Sequence, residues 1–300
     1  MPSLVDRRPL VSICMPIYRS EAFIRETILS ALGQTVHDVE IVISNDGAHK
    51  TPALDEFREH SRIRIFEPHR RLGWVENSNF VLDQARGWYF MILPHDDRLS
   101  PTYVEACLRM LEADPACFAA VSDIAFDGGV MTPSEVRGDL VDRVGQVMRN
   151  LYNGYSYRAL MRRRPGDSDR LKLVPNPPTD FCVDTTWILQ QAGFGELRRV
   201  PEALYWKAFP PTSTHRAWSR IPQPQLREAW ACHCRQMEAI ALSFLPDPDL
   251  VSELVRHRRD ARRVSEAPFY LKDAMLSAEA EGQAREAETP ARADRHPKSR

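Results

Sequence analysis

The chain has 300 residues, of which 43% are hydrophobic, and its formal net charge at pH 7 is −1. This length suits one larger domain or two small ones with a substantial core. A charge so close to zero excludes a general attraction to nucleic acid or to anionic lipid. We therefore expect no nucleic-acid partner and at most peripheral contact with a membrane.

Cysteine usage and hydropathy point to a reducing compartment. The 6 cysteines include no CxxC pair. No apolar run approaches the roughly 20 residues that cross a bilayer. Met1 to Pro9 is polar and basic and lacks the apolar segment of a secretory leader. We expect a cytoplasmic protein that at most touches the inner face of the membrane.

Strands and helices alternate through the first 125 residues. Apolar periodicity predicts strands at 10–15, 39–44, 63–66, 88–93 and 118–124, and helices at 21–32, 51–60, 74–86 and 101–113. Pro16 is expected to end the first strand, because proline cannot donate to a central ladder. This alternation favours right-handed βαβ crossovers, hence an α/β fold with a Rossmann-like, mostly parallel sheet flanked by helices.

The second half of the chain is less regular. The pattern predicts an amphipathic helix over 138–161 with an interruption at Gly154, and a charged, solvated loop at 162–167. Further elements follow as a helix at 179–193, a strand at 200–208 and a C-terminal helical extension with helices at 226–245 and 248–264. Residues 279–300 are polar and nearly free of large apolar side chains, so we expect them to be disordered.

Acidic residues follow two of the predicted strands. The apolar run at 88–93 leads directly into Asp96 and Asp97, and Asp46 follows the strand at 39–44. Open α/β sheets bind ligands at the carboxyl edge of their strands. Two adjacent carboxylates repel each other unless a cation lies near, and Mg²⁺ or Mn²⁺ prefers such oxygen ligands. The alternatives are that Asp97 caps the next helix and that Asp46 shapes a turn.

Two known phosphate-binding loops are absent from the sequence. It contains neither GxGxxG opening the first helix nor GxxxxGK[ST]. The first turn reads Pro16-Ile17-Tyr18-Arg19 instead. The sequence therefore does not favour a dinucleotide-dependent dehydrogenase or a P-loop enzyme.

The order and spacing of several segments resemble family 2 glycosyltransferases. The matching pieces are Val11 to Tyr18, Ser30 to Thr35, Glu40 to Gly47, then Gly73, Asn79, Ala85, Gly87 and Asp96-Asp97. The resemblance is good over about residues 10 to 125 and looser over 180 to 215. It implies a GT-A fold, a nucleotide-sugar donor and, in most members, Mg²⁺ or Mn²⁺.

The resemblance also implies roles for residues of the donor half. Pro16 and Tyr18 match the loop that lies under the base and ribose. Asp46 matches an acidic residue that hydrogen-bonds the base. Asn79, which follows in the family's order, is assigned to the donor site.

The family's acidic motif, Asp-x-Asp-Asp, here reads Pro94-His95-Asp96-Asp97. The first acid is missing, so Asp96 is implied as the principal metal ligand and donor contact. Asp97 is a second candidate ligand. His215, in a late Ser/Thr/His cluster, is a third.

Asp184 resembles the Asp of the family's acceptor site, where it serves as the catalytic base, and Asp180 is the alternative. A base there would take the proton of the attacking hydroxyl. A cation at Asp96 would stabilise the departing nucleoside diphosphate. A single attack from the opposite face would invert the anomeric carbon.

These roles suggest an organisation of the chain. We assign 1–125 to a nucleotide-sugar-binding half, 126–222 to an acceptor half, 223–278 to the helical extension and 279–300 to the tail. The expected acceptor is a saccharide or lipid-linked hydroxyl, as in surface polysaccharide synthesis, and the helices after Leu226 could support a homodimer. The alternatives are a weak or inactive nucleotide-binding relative and a nucleotidyltransferase, which would need a Gly-rich, basic loop after the first strand.

Overall fold

The computed structural model describes residues 8–48, 51–150, 153–164, 171–177, 180–209 and 221–259. The predicted tail at 279–300 and the candidate ligand His215 lie outside these ranges. The strands are β1 Val11–Ile17, β2 Val39–Asn45, β3 Ile63–Phe66, β4 Tyr89–Ile92, β5 Arg98–Leu99, β6 Cys117–Phe126, β7 Gly129–Met131, β8 Leu160–Arg162 and β9 Glu196–Trp206. The helices are α1 Ile24–Leu32, α2 Trp74–Gln84, α3 Tyr103–Ala113, α4 Leu140–Arg149, α5 Val183–Phe194, α6 Gln223–Leu242 and α7 Pro248–Arg259.

The described strands form one sheet in the order β3-β2-β1-β4-β8-β6-β9-β5, with β7 beside β6. Strands β3, β2, β1 and β4 run parallel to one another, and β6 runs parallel to β9. Strand β8 is antiparallel to both β4 and β6, and β5 is antiparallel to β9. This confirms the predicted α/β class with a mostly parallel sheet.

Helices cover both faces of the sheet, which explains the continuous apolar runs in its strands. Side chains such as Ile13 and Met15 pack with α1 and α3 on one face. Cys14 and Val42 belong to the core on the opposite face, with α2, α4, α5, α6 and α7. The boundary predicted at residue 125 falls within β6, which carries the sheet from one assigned half into the other.

Three local predictions differ from the structure. Strand β1 continues through Pro16 to Ile17, because β4 pairs with β1 only as far as Cys14 and leaves no ladder on that side for Pro16 to interrupt. The helix predicted at 51–60 is a 3₁₀ segment, Pro52–Phe57. The long helix predicted over 138–161 is divided into α4, a 3₁₀ segment Asn153–Arg158 and strand β8.

Three consecutive arginines connect the ends of three helices. Arg162 donates to a carbonyl of the last turn of α3, Arg163 to two carbonyls at the end of α2, and Arg164 to the last carbonyl of α5. None of these helices has a basic residue in its last turn. Because C-terminal carbonyls carry partial negative charge, the distant guanidinium groups supply the missing cations. The prediction of a solvated loop is therefore wrong for Arg162 and Arg163, whereas Arg164 is exposed.

None of the helices in the described ranges combines the length and the apolar character that a bilayer crossing requires.

Candidate functional site

The carboxyl ends of β1, β2 and β4 meet at one edge of the sheet, because both outer strands run parallel to β1. Tyr18 follows β1, Asp46 follows β2 and Asp96 follows β4. One strand separates β2 from β4, so these two strands lie roughly 10 Å apart across the sheet. The predicted meeting of these exits at one edge is confirmed by the topology.

Asp46 holds the loop before α2. Its side chain is 2% exposed, and its oxygens accept hydrogen bonds from the backbone N–H groups of Leu72, at 2.6 Å, and Gly73, at 2.9 Å. The same loop places the guanidinium carbon of Arg71 4.1 Å from the centre of the Tyr18 ring. The Tyr18 ring and the Arg71 guanidinium therefore lie together near the end of β1.

Two asparagines of α2 fix this region of the fold. Asn79 uses both ends of its side-chain amide on the backbone of Leu173, at 2.9 and 2.8 Å, so it anchors α2 to residues 171–177. Asn77 accepts from the Ser44 hydroxyl and donates to the carbonyls of Ile17 and Ser44, which joins the ends of β1 and β2. Sequence reasoning missed Asn77, because only the folded chain shows which strand ends its amide meets.

Asp97 is completely buried and fully engaged. Its Oδ2 atom accepts from Arg158 Nε at 3.1 Å and from the Tyr205 hydroxyl at 2.7 Å, and its Oδ1 atom accepts from Ala208 N at 3.1 Å. The antiparallel pairing of β5 with β9 creates this junction, because it sets residues 98–99 beside 205–206. Asp97 thus joins three segments of the chain, and both of its oxygens accept hydrogen bonds there.

Asp96 is half-buried at the exit of β4. Burial raises the pKa of Asp96 above its ordinary value, and the charge of Asp97 adds to the shift, whereas His95 and Lys207 oppose it. A hydrogen bond of 2.8 Å from the Thr27 hydroxyl to the His95 carbonyl fixes the turn. Asp96 is therefore the carboxylate of the pair that Arg158 leaves available.

Lys207 is a buried cation in the late segment that resembles the family's segment near the diphosphate, although sequence reasoning gave Lys207 itself no role. It follows β9 directly, its side chain is 7% exposed, and its Nζ atom lies 4.7 Å from the centre of the Phe209 ring. Burial lowers the pKa of Lys207 to about 8, helped by Arg158, while Asp97, Asp96 and Asp184 act in the opposite direction. The feature that identifies Lys207 is its burial near three acids, and this arrangement arises only when the strands pair.

Asp184 lies in the first turn of α5, and its carboxylate interacts with the charges of Arg158 and Lys207. Burial raises the pKa of Asp184, against the opposing charges of Arg158 and Lys207. Its Oδ1 atom accepts from Thr185 N at 2.9 Å, and its other oxygen packs against Gly154, where an added Cβ would come within 2.5 Å.

The alternative base, Asp180, is oriented differently. Its Oδ1 atom accepts from Asn176 N at 3.0 Å, and burial raises the pKa of Asp180. No charged residue contributes to that shift, whereas Arg158 and Lys207 both act on Asp184.

Among the described side chains, Asp96 is the carboxylate of the acidic motif that could hold a divalent metal ion. Pro94 occupies the first position of the acidic motif, and both oxygens of Asp97 are engaged. The described ranges contain no group of three or more His, Cys, Asp or Glu residues that could hold a metal ion. A Mg²⁺ or Mn²⁺ ion is commonly held by one or two carboxylates together with substrate phosphate oxygens and water, so Asp96 fits such an ion without a larger group of protein ligands.

Comparison with other proteins shows which family the chain resembles. The family model described as glycosyl transferase family 2 matches residues 12–197. A Haemophilus influenzae protein described as an uncharacterized glycosyltransferase is 33% identical over 214 residues, which are 67% of this chain and 65% of the relative. The hyaluronan synthase of Pasteurella multocida is 36% identical over 110 residues, 36% of this chain. That match spans only 11% of the synthase.

Solved structures share the fold at low sequence identity. S. aureus TarS in complex with UDP-GlcNAc aligns with a TM-score of 0.66 and 12% identity, covering 90% of this chain and 79% of that one. A mannosyltransferase from Pyrobaculum calidifontis, in complex with GDP-Man and Mn²⁺, aligns with a TM-score of 0.54 and 17% identity, covering 95% and 82%. The arrangement is the expected GT-A fold. Because the family model spans more than half of the residues, including both acidic strand exits and Asp184, the chain belongs to glycosyl transferase family 2.

Proposed function

We propose that this protein transfers a sugar from a nucleotide-sugar donor to a hydroxyl of a saccharide or lipid-linked acceptor, with inversion of the anomeric carbon. The observation that carries the proposal is that Asp96, at the exit of β4, and Asp184, at the start of α5, both interact electrostatically with the buried Lys207. These residues come from three separate segments of the chain. Charged groups are buried together at such cost chiefly where they serve a reaction.

Asp184 acts as the general base. The acceptor oxygen forms a bond to the anomeric carbon and gives its proton to the Asp184 carboxylate. The bond between that carbon and the diphosphate breaks, and its electron pair leaves with the phosphate oxygen. A carboxylate whose pKa is raised by burial is a stronger base than an ordinary aspartate, which favours this transfer.

The nucleoside occupies the surface formed by Tyr18 and Arg71. An aromatic ring next to a guanidinium offers stacking to a base and positive charge to the adjoining phosphates. Asp46 contributes by holding the loop that carries Arg71, since both of its oxygens bind that loop. The UDP-GlcNAc and GDP-Man in the structural relatives support a donor of this class.

The acceptor enters from the side of α5, where Asp184 begins the helix. Relatives named hyaluronan synthase and chondroitin synthase support a saccharide acceptor and a place in polysaccharide synthesis. In this assignment, residues 1–125 bind the donor and 126–222 bind the acceptor. Contact with a membrane is peripheral, through a lipid-linked acceptor.

The proposal is tested by donor hydrolysis, which needs no knowledge of the acceptor. Asp184→Asn should lower the release of nucleoside diphosphate from a nucleotide-sugar by about 10²-fold or more, because it removes the proton acceptor. Binding of the donor should remain. The matched control is Asp180→Asn, which keeps an oxygen for Asn176 N and should leave turnover unchanged.

Two outcomes would contradict the proposal. Normal turnover in the Asp184→Asn variant would show that Asp184 is not the general base. A wild-type protein that binds donors but never releases sugar would favour the inactive relative. The stereochemistry is checked by NMR of the freshly released sugar, whose anomeric configuration must be opposite to that of the donor.

A further inference from the structure

The turn that leads into α5 has an unusual backbone. Asp180 has a φ of 52° and Cys182 a φ of 58°, so two non-glycine residues of this turn adopt the left-handed conformation. Cys182 directly precedes α5 and makes no side-chain capping bond to the helix. Such a backbone costs free energy and persists only where the surroundings hold it. The entry of the chain into α5, and with it the position of Asp184 in the first helical turn, therefore depends on contacts from outside the helix.

Asn176 supplies polar contacts to this turn. It is completely buried, and its side-chain amide donates to the Phe181 carbonyl at 2.8 Å and to the Ala229 carbonyl of α6 at 3.0 Å. The Asn176 carbonyl accepts from Asp180 N at 2.6 Å, and Asn176 N donates to Asp180 Oδ1 at 3.0 Å. One residue thus binds the turn at two successive positions and fastens it to α6.

Apolar packing adds to the connection with α6. Phe181 and Cys182 are buried in one cluster with Leu226 and Ala229 of that helix. The ring of Trp230, also in α6, meets the Phe181 ring edge-on, with the ring centroids 6.4 Å apart. Helix α6 lies beyond the residues that the family model matches. The C-terminal helical extension therefore contacts the segment that precedes the general base.

We propose that Asn176 is a positioning residue for the general base: by tying the turn at 180–182 to α6, it fixes the first turn of α5 and the orientation of Asp184. The inference rests on the proposed function and deepens it, because it gives the C-terminal extension a part in proton transfer from the acceptor. Asn176 acts through the backbone of the turn and exchanges no proton itself. Without this tie the left-handed turn relaxes, and the Asp184 carboxylate moves toward water.

The test measures release of nucleoside diphosphate from a nucleotide-sugar by the full chain carrying Asn176→Ala, across a range of pH. The kcat should fall by about 10- to 100-fold, as expected for a reacting group displaced by about 1 Å, while the donor KM stays within about twofold of wild type. Because burial raises the pKa of Asp184, contact with water should move the acidic limb of the kcat profile to lower pH.

The shift of the acidic limb separates positioning from a loss of folded protein. Arg158, Lys207 and Tyr157 are the charged or titratable groups that interact with Asp184. All three lie on other segments than the turn and are unchanged in the variant. A smaller fraction of folded protein lowers the rate at every pH and leaves the limb in place.

A matched control changes another amide between the same two segments. Gln236 of α6 donates to the Pro175 carbonyl at 2.7 Å, next to Asn176 but outside the turn. Gln236→Leu should keep the wild-type kcat and pH profile. Equal losses in Gln236→Leu and Asn176→Ala overturn the role of Asn176, since they indicate a general loosening of α6.

A second pair of variants acts on the turn itself and remains informative if Asn176→Ala fails to fold. Cys182→Val places a β-branched residue at a φ of 58°, which such residues avoid, and it should lower kcat and move the acidic limb as Asn176→Ala does. Glycine adopts this φ without steric cost, so Cys182→Gly should keep a clearly higher kcat than Cys182→Val. Equal kcat values for the two Cys182 variants overturn the inference.

The inference and the proposed function fail differently. A folded Asn176→Ala protein with normal kcat, or with a lower kcat and an unmoved acidic limb, overturns the positioning role while a sugar-transferring enzyme remains. A wild-type protein that releases no nucleoside diphosphate from any nucleotide-sugar tested overturns the proposed function, and the inference with it.

Discussion

Gly154 should control the position of the catalytic carboxylate, because its missing side chain makes room for Asp184. A Cβ added at Gly154 would lie 2.5 Å from Asp184 Oδ2, and ordinary van der Waals contact begins at 3.4 Å. The carboxylate or the backbone must therefore move by about 0.9 Å. Misplacement of a reacting group by about 1 Å costs on the order of 10²-fold in rate.

We expect Gly154→Ala to lower the turnover of donor hydrolysis by about that factor while the donor KM changes little. Overpacking of this kind costs about 1–3 kcal/mol of unfolding free energy, so thermal unfolding should show a folded protein. The assay is release of nucleoside diphosphate at saturating nucleotide-sugar.

The control is Gly145→Ala in α4, where the added Cβ would meet the flexible end of Arg149 at 3.1 Å and the Leu254 side-chain methyl at 3.3 Å. Alanine favours the helix over glycine by about 0.5–1 kcal/mol, so stability should hold and turnover should stay normal. Turnover of Gly154→Ala within about twofold of wild type would refute the placement of Asp184 as a base held against Gly154.

Three further predictions concern stability. Asp97→Ala leaves Arg158 buried without its carboxylate and should cost about 3–5 kcal/mol in urea unfolding; a loss under about 1 kcal/mol would contradict the junction. Burial and the charge of Arg258 hold the pKa of His233 well below its usual range. Below about pH 6.5 the imidazole therefore takes up a proton in the unfolded chain but not in the folded protein, and the free energy of unfolding falls by about 1.4 kcal/mol for each further pH unit. His233→Gln should remove that part of the acid sensitivity, and identical pH–stability curves would disprove it. Arg163→Met should cost about 1–2 kcal/mol through the lost contacts at the end of α2, with donor affinity as the unaffected control; reduced affinity would mean that Arg163 also serves the site.

The strand exits were predictable because they depend on local signals. Each of β1, β2 and β4 is an apolar run followed by turn residues, and parallel strands flanked by helices end at a common edge. Asp46 and Asp96 could therefore be assigned to one edge before their contacts were known. Their hydrogen-bond partners could not, since Leu72 and Gly73 reach Asp46 only when α2 packs on the sheet.

The secondary structure in the middle of the chain could not be predicted from local sequence signals. The amphipathic pattern over 138–161 predicted one long helix, yet β8 takes the last residues because the sheet has a gap between β4 and β6. The demand for backbone pairing in that gap outweighs the local helical preference. The charged arginine run after it looked solvated for the same reason: its partners are helix ends distant in sequence.

The sequence alone determined the α/β class, the order of strands and helices in the first half, and which acidic residues end strands, because periodicity and turn chemistry act over a few neighbouring residues. The tertiary structure decided how those acids are used. The pairing of β5 with β9 engages Asp97 with Arg158 and places Lys207 beside Asp96, and the packing of Gly154 positions Asp184. Burial and charge at this edge come from segments far apart in the chain, so the chemistry of the site appears only when those segments meet.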